Sequence, residues 1–181
     1  MNRSQPRHTS AAHPMGALRP AWWLLTGYAL IADLSAVPIL IRTEARSDWL
    51  RGVALLLLLA TVAGWLVESR DHRSRWAVVL VEGATVFAVA TAVGIPDQAK
   101  GLLFAVVARR GVCGSSRAVV AVGVGLSSVG FTVAVVLAHT VFPDPGVPLA
   151  ESLSSLPGLV ISATVMRMLV EGLAGRVSAE R

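Results

Sequence analysis

Apolar residues occupy long blocks of this chain, and charged residues are gathered into the short stretches between them. A helix needs about 20 predominantly apolar residues to cross the roughly 30 Å hydrocarbon core of a membrane. Five blocks reach or approach that length, and they lie at residues 22–41, 50–67, 76–95, 118–142 and 152–170. The pattern therefore predicts membrane-spanning helices rather than the amphipathic elements of a soluble domain.

A sixth apolar stretch, residues 101–108, is too short to span alone, because eight helical residues extend only about 12 Å. Pro96 suits the first position of a helix. A helix over residues 96–112 would reach about 25 Å, and long basic side chains can extend from such a helix to the membrane surfaces. We expect a short fourth span whose basic side chains reach the surfaces at Lys100, Arg109 and Arg110.

The arginine and lysine residues decide between five and six spans, because positively charged connections stay on the cytoplasmic side. With six spans and a cytoplasmic N-terminus, twelve basic residues face the cytoplasm and four face outward. The better five-span arrangement gives only ten against six. The sequence predicts an all-α bundle of six spans with both termini in the cytoplasm.

This arrangement divides the chain into three parts. Residues 1–21 are polar and contain proline, which predicts a disordered cytoplasmic tail. Residues 22–170 form the six-helix transmembrane domain, and residues 171–181 form a cytoplasmic amphipathic helical tail. Tryptophan favours membrane–water interfaces, and all five tryptophans lie at predicted span boundaries: Trp22, Trp23, Trp49, Trp65 and Trp76.

The composition agrees with membrane insertion, since 54% of the residues are hydrophobic and only 15% are charged. A soluble domain is about 25% charged. The net charge of +5 does not indicate a nucleic-acid partner, because the basic residues form short clusters between spans. Fifteen of the sixteen basic residues are arginine, which is typical of a high-GC bacterial genome. We expect a multi-pass protein of the bacterial inner membrane whose main partner is the lipid bilayer.

Two carboxylates, Asp33 and Glu82, lie inside predicted spans, at depths of about 16 Å and 9 Å. Intramembrane carboxylates are costly and are functional hypotheses by default, as proton relays or cation ligands. The structural alternative is that they accept hydrogen bonds from a neighbouring helix or pair with Arg109 or Arg167. Arg167 has a depth similar to that of Glu82 and is the expected structural partner. The different depths of the two carboxylates argue against a shared metal site, and we expect no metal and no cofactor.

Small residues recur at four-residue spacing in the third and fifth spans, where they predict close helix packing. The glycine-rich stretch 123–130 superficially resembles a phosphate-binding loop, but it lies within an apolar block without strand–turn–helix context. No catalytic motif is present, so we do not expect an enzyme. The predicted packing residues are Ala84, Ala88, Ala92, Ala121, Gly123, Gly125 and Ser127.

The end of the chain continues the last span with apolar residues spaced 4, 3 and 4 apart, at Met166, Val170, Leu173 and Val177. This is the hydrophobic step of a coiled-coil seam. The spacing predicts a signalling helix that can form a homodimer. The alternative is an ordinary helix end, because two heptads are few and Gly172 and Gly175 weaken a helix.

Six short-looped spans precede two distinctive stretches, the turn AVVARRGVCGSSRAVV at 105–120 and the exit helix RMLVEGLAGRVSAER at 167–181. Together they resemble the membrane input region of bacterial two-component sensor histidine kinases, especially the multi-span type related to thermosensor kinases. The resemblance covers about residues 20–181. It implies that the exit helix leads to a phosphoacceptor histidine and an ATP-binding domain. The sequence departs from the family here, since no histidine follows His139.

Three functional readings follow. The leading one is a sensor input domain that detects a signal in the bilayer, without a kinase module of its own. It is either a truncated product or a membrane subunit that works with a separate kinase partner. The alternative is a small transporter or channel subunit with an ion or proton path through Asp33 and Glu82. The third is a structural membrane protein without a ligand.

Overall fold

A computed structural model describes residues 19–42, 47–71, 75–114, 116–141 and 148–179, and these residues are almost entirely helical and include no strand. The predicted all-α fold is therefore confirmed for these residues. Most of the predicted disordered tail, at 1–18, lies outside them. The helices are α1 (Arg19–Arg42), α2 (Asp48–Asp71), α3 (Trp76–Val93), a 3₁₀ turn (Pro96–Ala99), α4 (Lys100–Cys113), α5 (Arg117–Val141), α6 (Leu149–Leu153) and α7 (Ser155–Ala179).

Four stretches among the described residues are long and apolar enough to cross a membrane. Three of them are α2, α3 and α5, and the fourth joins α6 to most of α7 over Leu149–Leu173. The two remaining predicted spans correspond to α1 and α4. With 14 residues, α4 extends about 21 Å, which is less than the hydrocarbon thickness.

The short helix α4 lies inside the bundle and contacts α1, α5 and α7. Gly94 ends α3 with a positive φ of 78°, a conformation that glycine adopts without strain. Pro96 then opens the 3₁₀ turn that leads into α4. Nine of the fourteen residues of α4 are buried, including Arg109 and Arg110. The expectation that these two arginines extend to the membrane surface is wrong, because α4 ends against acidic side chains of neighbouring helices.

Helices α3 and α5 pack against each other, and glycines allow a close approach. A Cβ atom at Gly130 would lie 2.9 Å from the Gly83 carbonyl oxygen, and one at Gly83 would lie 3.1 Å from the Leu126 Cβ. Four of the predicted packing residues are buried: Ala88, Ala92, Gly123 and Ser127. The packing prediction is wrong for Ala84, Ala121 and Gly125, which are exposed because their helices turn these positions outward.

The last helix, α7, runs without a break through Ala179, so the predicted tail continues the preceding apolar helix. The residues of its predicted coiled-coil seam are partly packed against the bundle and partly exposed. Met166 packs beside Gly111 of α4, since a Cβ atom at Gly111 would lie 3.6 Å from the Met166 Cβ. Val170 is half-buried and Leu173 is exposed, while the side chain of Val177 lies outside the described part. The predicted homodimer remains a prediction.

We predict that Gly130→Ala destabilises the bundle by about 1–3 kcal/mol, because the new methyl group would press on the Gly83 carbonyl. Gly125→Ala is the matched control, since its Cβ atom would point into open space. The control should be neutral or stabilising by up to about 1 kcal/mol, from helix propensity. Thermal unfolding in detergent measures both. Equal melting temperatures for the two variants would contradict close packing at Gly130.

Candidate functional site

Four charged side chains from three helices meet in the interior of the bundle. They are Glu68 of α2, Glu82 of α3, and Arg109 and Arg110 of α4, and each is at most 1% exposed. We call them the buried charge network. It lies at the end of the bundle where α2 finishes, α3 begins and α4 finishes. The two positive and two negative charges cancel, which is the condition for placing ionised groups in a low-dielectric interior.

Arg110 makes the closest contacts of the network. Its Nε donates to Glu82 Oε2 at 2.6 Å, and its Nη2 donates to Glu82 Oε1 at 2.9 Å. This is the bidentate geometry that a guanidinium forms with a carboxylate. Its third nitrogen, Nη1, reaches Glu68 Oε1 at 3.3 Å. Gly123 of α5 makes room for the side chain, since a Cβ atom there would lie 3.1 Å from the Arg110 Cγ.

Arg109 completes the link between α4 and α2. Its Nη1 donates to Glu68 Oε2 at 2.9 Å and lies 3.5 Å from Glu82 Oε1. Its guanidinium carbon sits 5.1 Å from the centre of the Trp65 ring, which is a cation–π contact. The indole Nε1 of Trp65 donates a hydrogen bond to Glu82 Oε1. Trp65 is fully buried, so here it is part of the network rather than an interfacial anchor.

Glu68 also fixes the connection between α2 and α3. Its Oε1 accepts a hydrogen bond of 2.7 Å from the backbone N–H of Arg75, the residue before α3. Hydroxyl contacts add to the same helix pairs: Thr26 of α1 bonds Ser69 of α2, and Thr61 of α2 bonds Thr85 of α3. These four hydroxyl groups are thereby satisfied between helices, as an apolar surrounding requires.

Asp33 lies apart from the ion pairs. Its carboxylate is on α1, is 1% exposed, and interacts electrostatically with Glu82. Its Oδ1 has no hydrogen-bond partner within the described residues. An ionised Asp33 would add an unbalanced negative charge beside the neutral network. A proton or a bound cation on Asp33 would remove that imbalance.

A second charged cluster lies on the surface, where α5 begins and α7 approaches its end. Arg117 donates to Glu171 from Nη2 at 2.6 Å, and Arg167 donates to Glu171 from Nε at 2.8 Å. The Nη1 of Arg167 also donates to the carbonyl oxygen of Gly114, just after α4, at 2.6 Å. We call Arg117, Arg167 and Glu171 the surface clamp.

The surface clamp corrects the predicted pair of Glu82 with Arg167. Glu82 bonds the two arginines of α4, and Arg167 bonds Glu171 one turn along its own helix. The reason is the position of α4, whose last turn contacts Glu82 directly. The depth estimate placed Arg167 correctly near one end of the bundle, but depth alone does not fix which helices are neighbours.

Sequence reasoning missed Glu68 and the role of Arg110, but it offered Arg109 as an alternative partner of the intramembrane carboxylates, and Arg109 lies 3.5 Å from Glu82. Two signals were available. Glu68 follows Trp65 by three residues, which places both on one face of α2. Arg109 and Arg110 directly follow an apolar stretch that is too short to span alone. Opposite charges inside apolar helices of one bundle are expected to pair.

Within the described ranges, no group of three His, Cys, Asp or Glu side chains is arranged to hold a metal ion. Comparison with family models, with curated proteins and with solved structures found no match. The geometry of the buried charge network, of Asp33 and of the surface clamp is therefore the basis for inferring a function.

We predict that Glu82→Gln and Arg110→Gln each destabilise the bundle by about 3–5 kcal/mol, because either change leaves buried charge unpaired. The double variant should lose less than the two single losses together, by a coupling of about 0.5–3 kcal/mol. Chemical unfolding in detergent measures the cycle, with Glu151→Gln as an exposed control that should change little. Additive losses would show that the two side chains act separately.

Proposed function

We propose that this chain is a membrane input domain that converts a change in its buried charge network into movement of α7. Six helices, α1 to α5 and α7, would lie across the bacterial inner membrane with both termini in the cytoplasm. The count of basic residues favours this orientation, even though Arg109 and Arg110 lie in the interior. The output would pass from α7 to a kinase module or to a second copy of the chain.

The observation that carries the proposal is the double role of the last turn of α4. Arg110 holds the carboxylates of α2 and α3, and the next residue, Gly111, lies against α7. A Cβ atom at Gly111 would lie only 3.1 Å from the Ala163 carbonyl oxygen. Three residues later, the Gly114 carbonyl accepts the hydrogen bond from Arg167. A shift of α4 that follows a change in the charge network would therefore be transmitted to α7 by direct contact.

The physical logic is that of a two-state element. A signal must stabilise one arrangement of the helices relative to another, and small helix shifts at packed contacts are a common form of such a change. The buried charge network can supply the energy difference, because loss or gain of one charge in the interior is worth several kcal/mol. A change in bilayer thickness and a change in protonation are both stimuli that would alter this energy difference.

We predict that Glu82→Gln displaces α7 relative to α2 by about 2 Å, because Arg110 loses an ionic partner and α4 shifts. The measurement is the distance between spin labels at the exposed positions Leu59 and Met168, in a Cys113→Ala background. Glu151→Gln is the control, since it removes an exposed carboxylate on α6. An unchanged label distance in a destabilised Glu82→Gln protein would mean that the network is structural only.

A second function, proton or cation transport, is favoured by one specific observation. Asp33 is a fully enclosed carboxylate with an oxygen that lacks a hydrogen-bond partner, beside a network that already balances its own charge. Such a group can bind and release a proton during a transport cycle. In this reading, Glu82 would be the neighbouring charge that promotes release or uptake.

If the chain transports protons, the protein in liposomes should dissipate an imposed pH gradient, and Asp33→Asn should abolish that flux. Asp48→Asn is the matched control and should retain it, because Asp48 is exposed and pairs with Arg51 at the start of α2. A pH-sensitive dye inside the liposomes reports the rate. Equal rates for protein-containing and empty liposomes would exclude the transport reading and favour the input domain.

A further inference from the structure

Helices α5 and α7 diverge on either side of α4 and leave a long groove between them. The groove has a volume of about 640 Å³. Helices α5 and α7 are separated because α4 lies between them. It contacts α5 through Arg110 at Gly123 and contacts α7 through Gly111 at Ala163. The groove is thus a product of the same helix that holds the buried charge network.

The body of the groove is apolar and its end is charged. Val124, Val129 and Val160 line the body. Gly125 also faces it, and a Cβ atom there would meet open space. All three residues of the surface clamp line the charged end, where α5 begins. Two arginines and one glutamate leave that end with a net charge of +1.

From this distribution we infer that the groove binds an anionic phospholipid, with an acyl chain along α5 and α7 and the phosphate at Arg117. Both helices contribute stretches long and apolar enough to cross a membrane, so hydrocarbon chains are the molecules that surround the groove. An unfilled groove would forfeit van der Waals contact, which an acyl chain restores. The first residues of a spanning helix lie near the headgroups, where basic side chains attract anionic lipid.

Arg117 is suited to this contact because its side chain is 83% exposed although it pairs with Glu171. A guanidinium can donate to a phosphate while it keeps a carboxylate partner, since it carries five N–H donors. The net charge of the clamp selects for a lipid with net negative charge. A zwitterionic lipid offers the same phosphate but also brings a cation close to the arginines.

A second copy of the chain fits the groove less well. Two copies in one membrane share the same orientation, so a two-fold axis would run along the membrane normal. The clamps of both copies would then face each other at the same depth, and two sites of charge +1 would repel. The lipid has the opposite charge, so we assign the groove to it. This inference is independent of the proposed signalling or transport function.

The test uses the full chain in nanodiscs that contain equal amounts of phosphatidylglycerol and phosphatidylcholine. Native mass spectrometry then counts the lipids that stay bound. We expect the unaltered protein to retain phosphatidylglycerol preferentially. Arg117→Gln should weaken that retention about tenfold, as the loss of one charge-assisted contact implies. Arg70→Gln, an exposed arginine of α2 away from the groove, should leave it unchanged.

Glu171→Gln separates lipid binding from a structural effect. Both Arg117→Gln and Glu171→Gln break the same ion pair, so damage to the clamp would move retention in the same direction for both. If the charge of the clamp recruits the lipid, Glu171→Gln raises the net charge and should increase retention. Loss of retention in both variants, or no change in either, would overturn the inference.

Filling the groove gives a second, independent readout. A Cβ atom at Gly125 would meet no protein atom within 4 Å, so Gly125→Leu should extend into the groove and displace the acyl chain, and bound lipid should fall about tenfold. Gly52→Leu is the matched control, because Gly52 is another helical glycine with open space at its Cβ position, and it lies outside the groove. Unaltered lipid retention in Gly125→Leu would contradict the assignment, as would dimers cross-linked through the groove without bound lipid.

Discussion

The pairing of the two α4 arginines with Glu68 and Glu82 is the interaction on which the rest of the arrangement depends. α4 is shorter than the hydrocarbon thickness of a bilayer and carries two adjacent arginines near its end, so by itself it is an unfavourable membrane element. Inside the bundle, the carboxylates of α2 and α3 balance both charges at distances of 2.6–3.5 Å. The network therefore explains why α4 lies in the interior and why α2 and α3 stay together at that end.

Glycine makes this interior position sterically accessible from both sides. Gly123 of α5 leaves space for the Arg110 side chain, and Gly111 of α4 lets α7 approach within contact of the backbone. The two arginines and the two glycines thus act together, since larger side chains would separate the helices that the charges draw together. The same spacing holds α5 and α7 apart further out, which creates the groove. One short helix accordingly determines the charge network, the contact with α7 and the groove.

The helical class and the four strongly apolar stretches could be predicted from the sequence, because span length and hydropathy depend on residues close together in the chain. The continuation of α7 into the tail could be predicted for the same reason, because it also depends on residues close together in the chain. Side-chain pairing was harder, because it depends on how each helix is rotated about its axis and which helices are neighbours. Ala84 shows the difficulty, since it faces outward although Ala88, four positions along the same helix, is buried. From the sequence alone, Arg109 and Arg110 look like part of a cytoplasmic connection between helices. Their buried position becomes clear only once the carboxylates that they contact are known.

The two charged clusters at this end of the bundle differ in their access to ions, although both contact the last turn of α4 or the residue after it. The buried charge network is shielded by protein, so dissolved salt screens it little. The surface clamp is open to solvent at Arg117, and surface ion pairs weaken as salt rises. Ionic strength can therefore loosen the contact of α7 with the start of α5 while the network stays intact. Under the proposed function, a change in buried charge would act from Arg110 through Gly111 on α7. The position of α7 would then respond to two inputs with different physical origins, one in the buried charge network and one at the surface clamp.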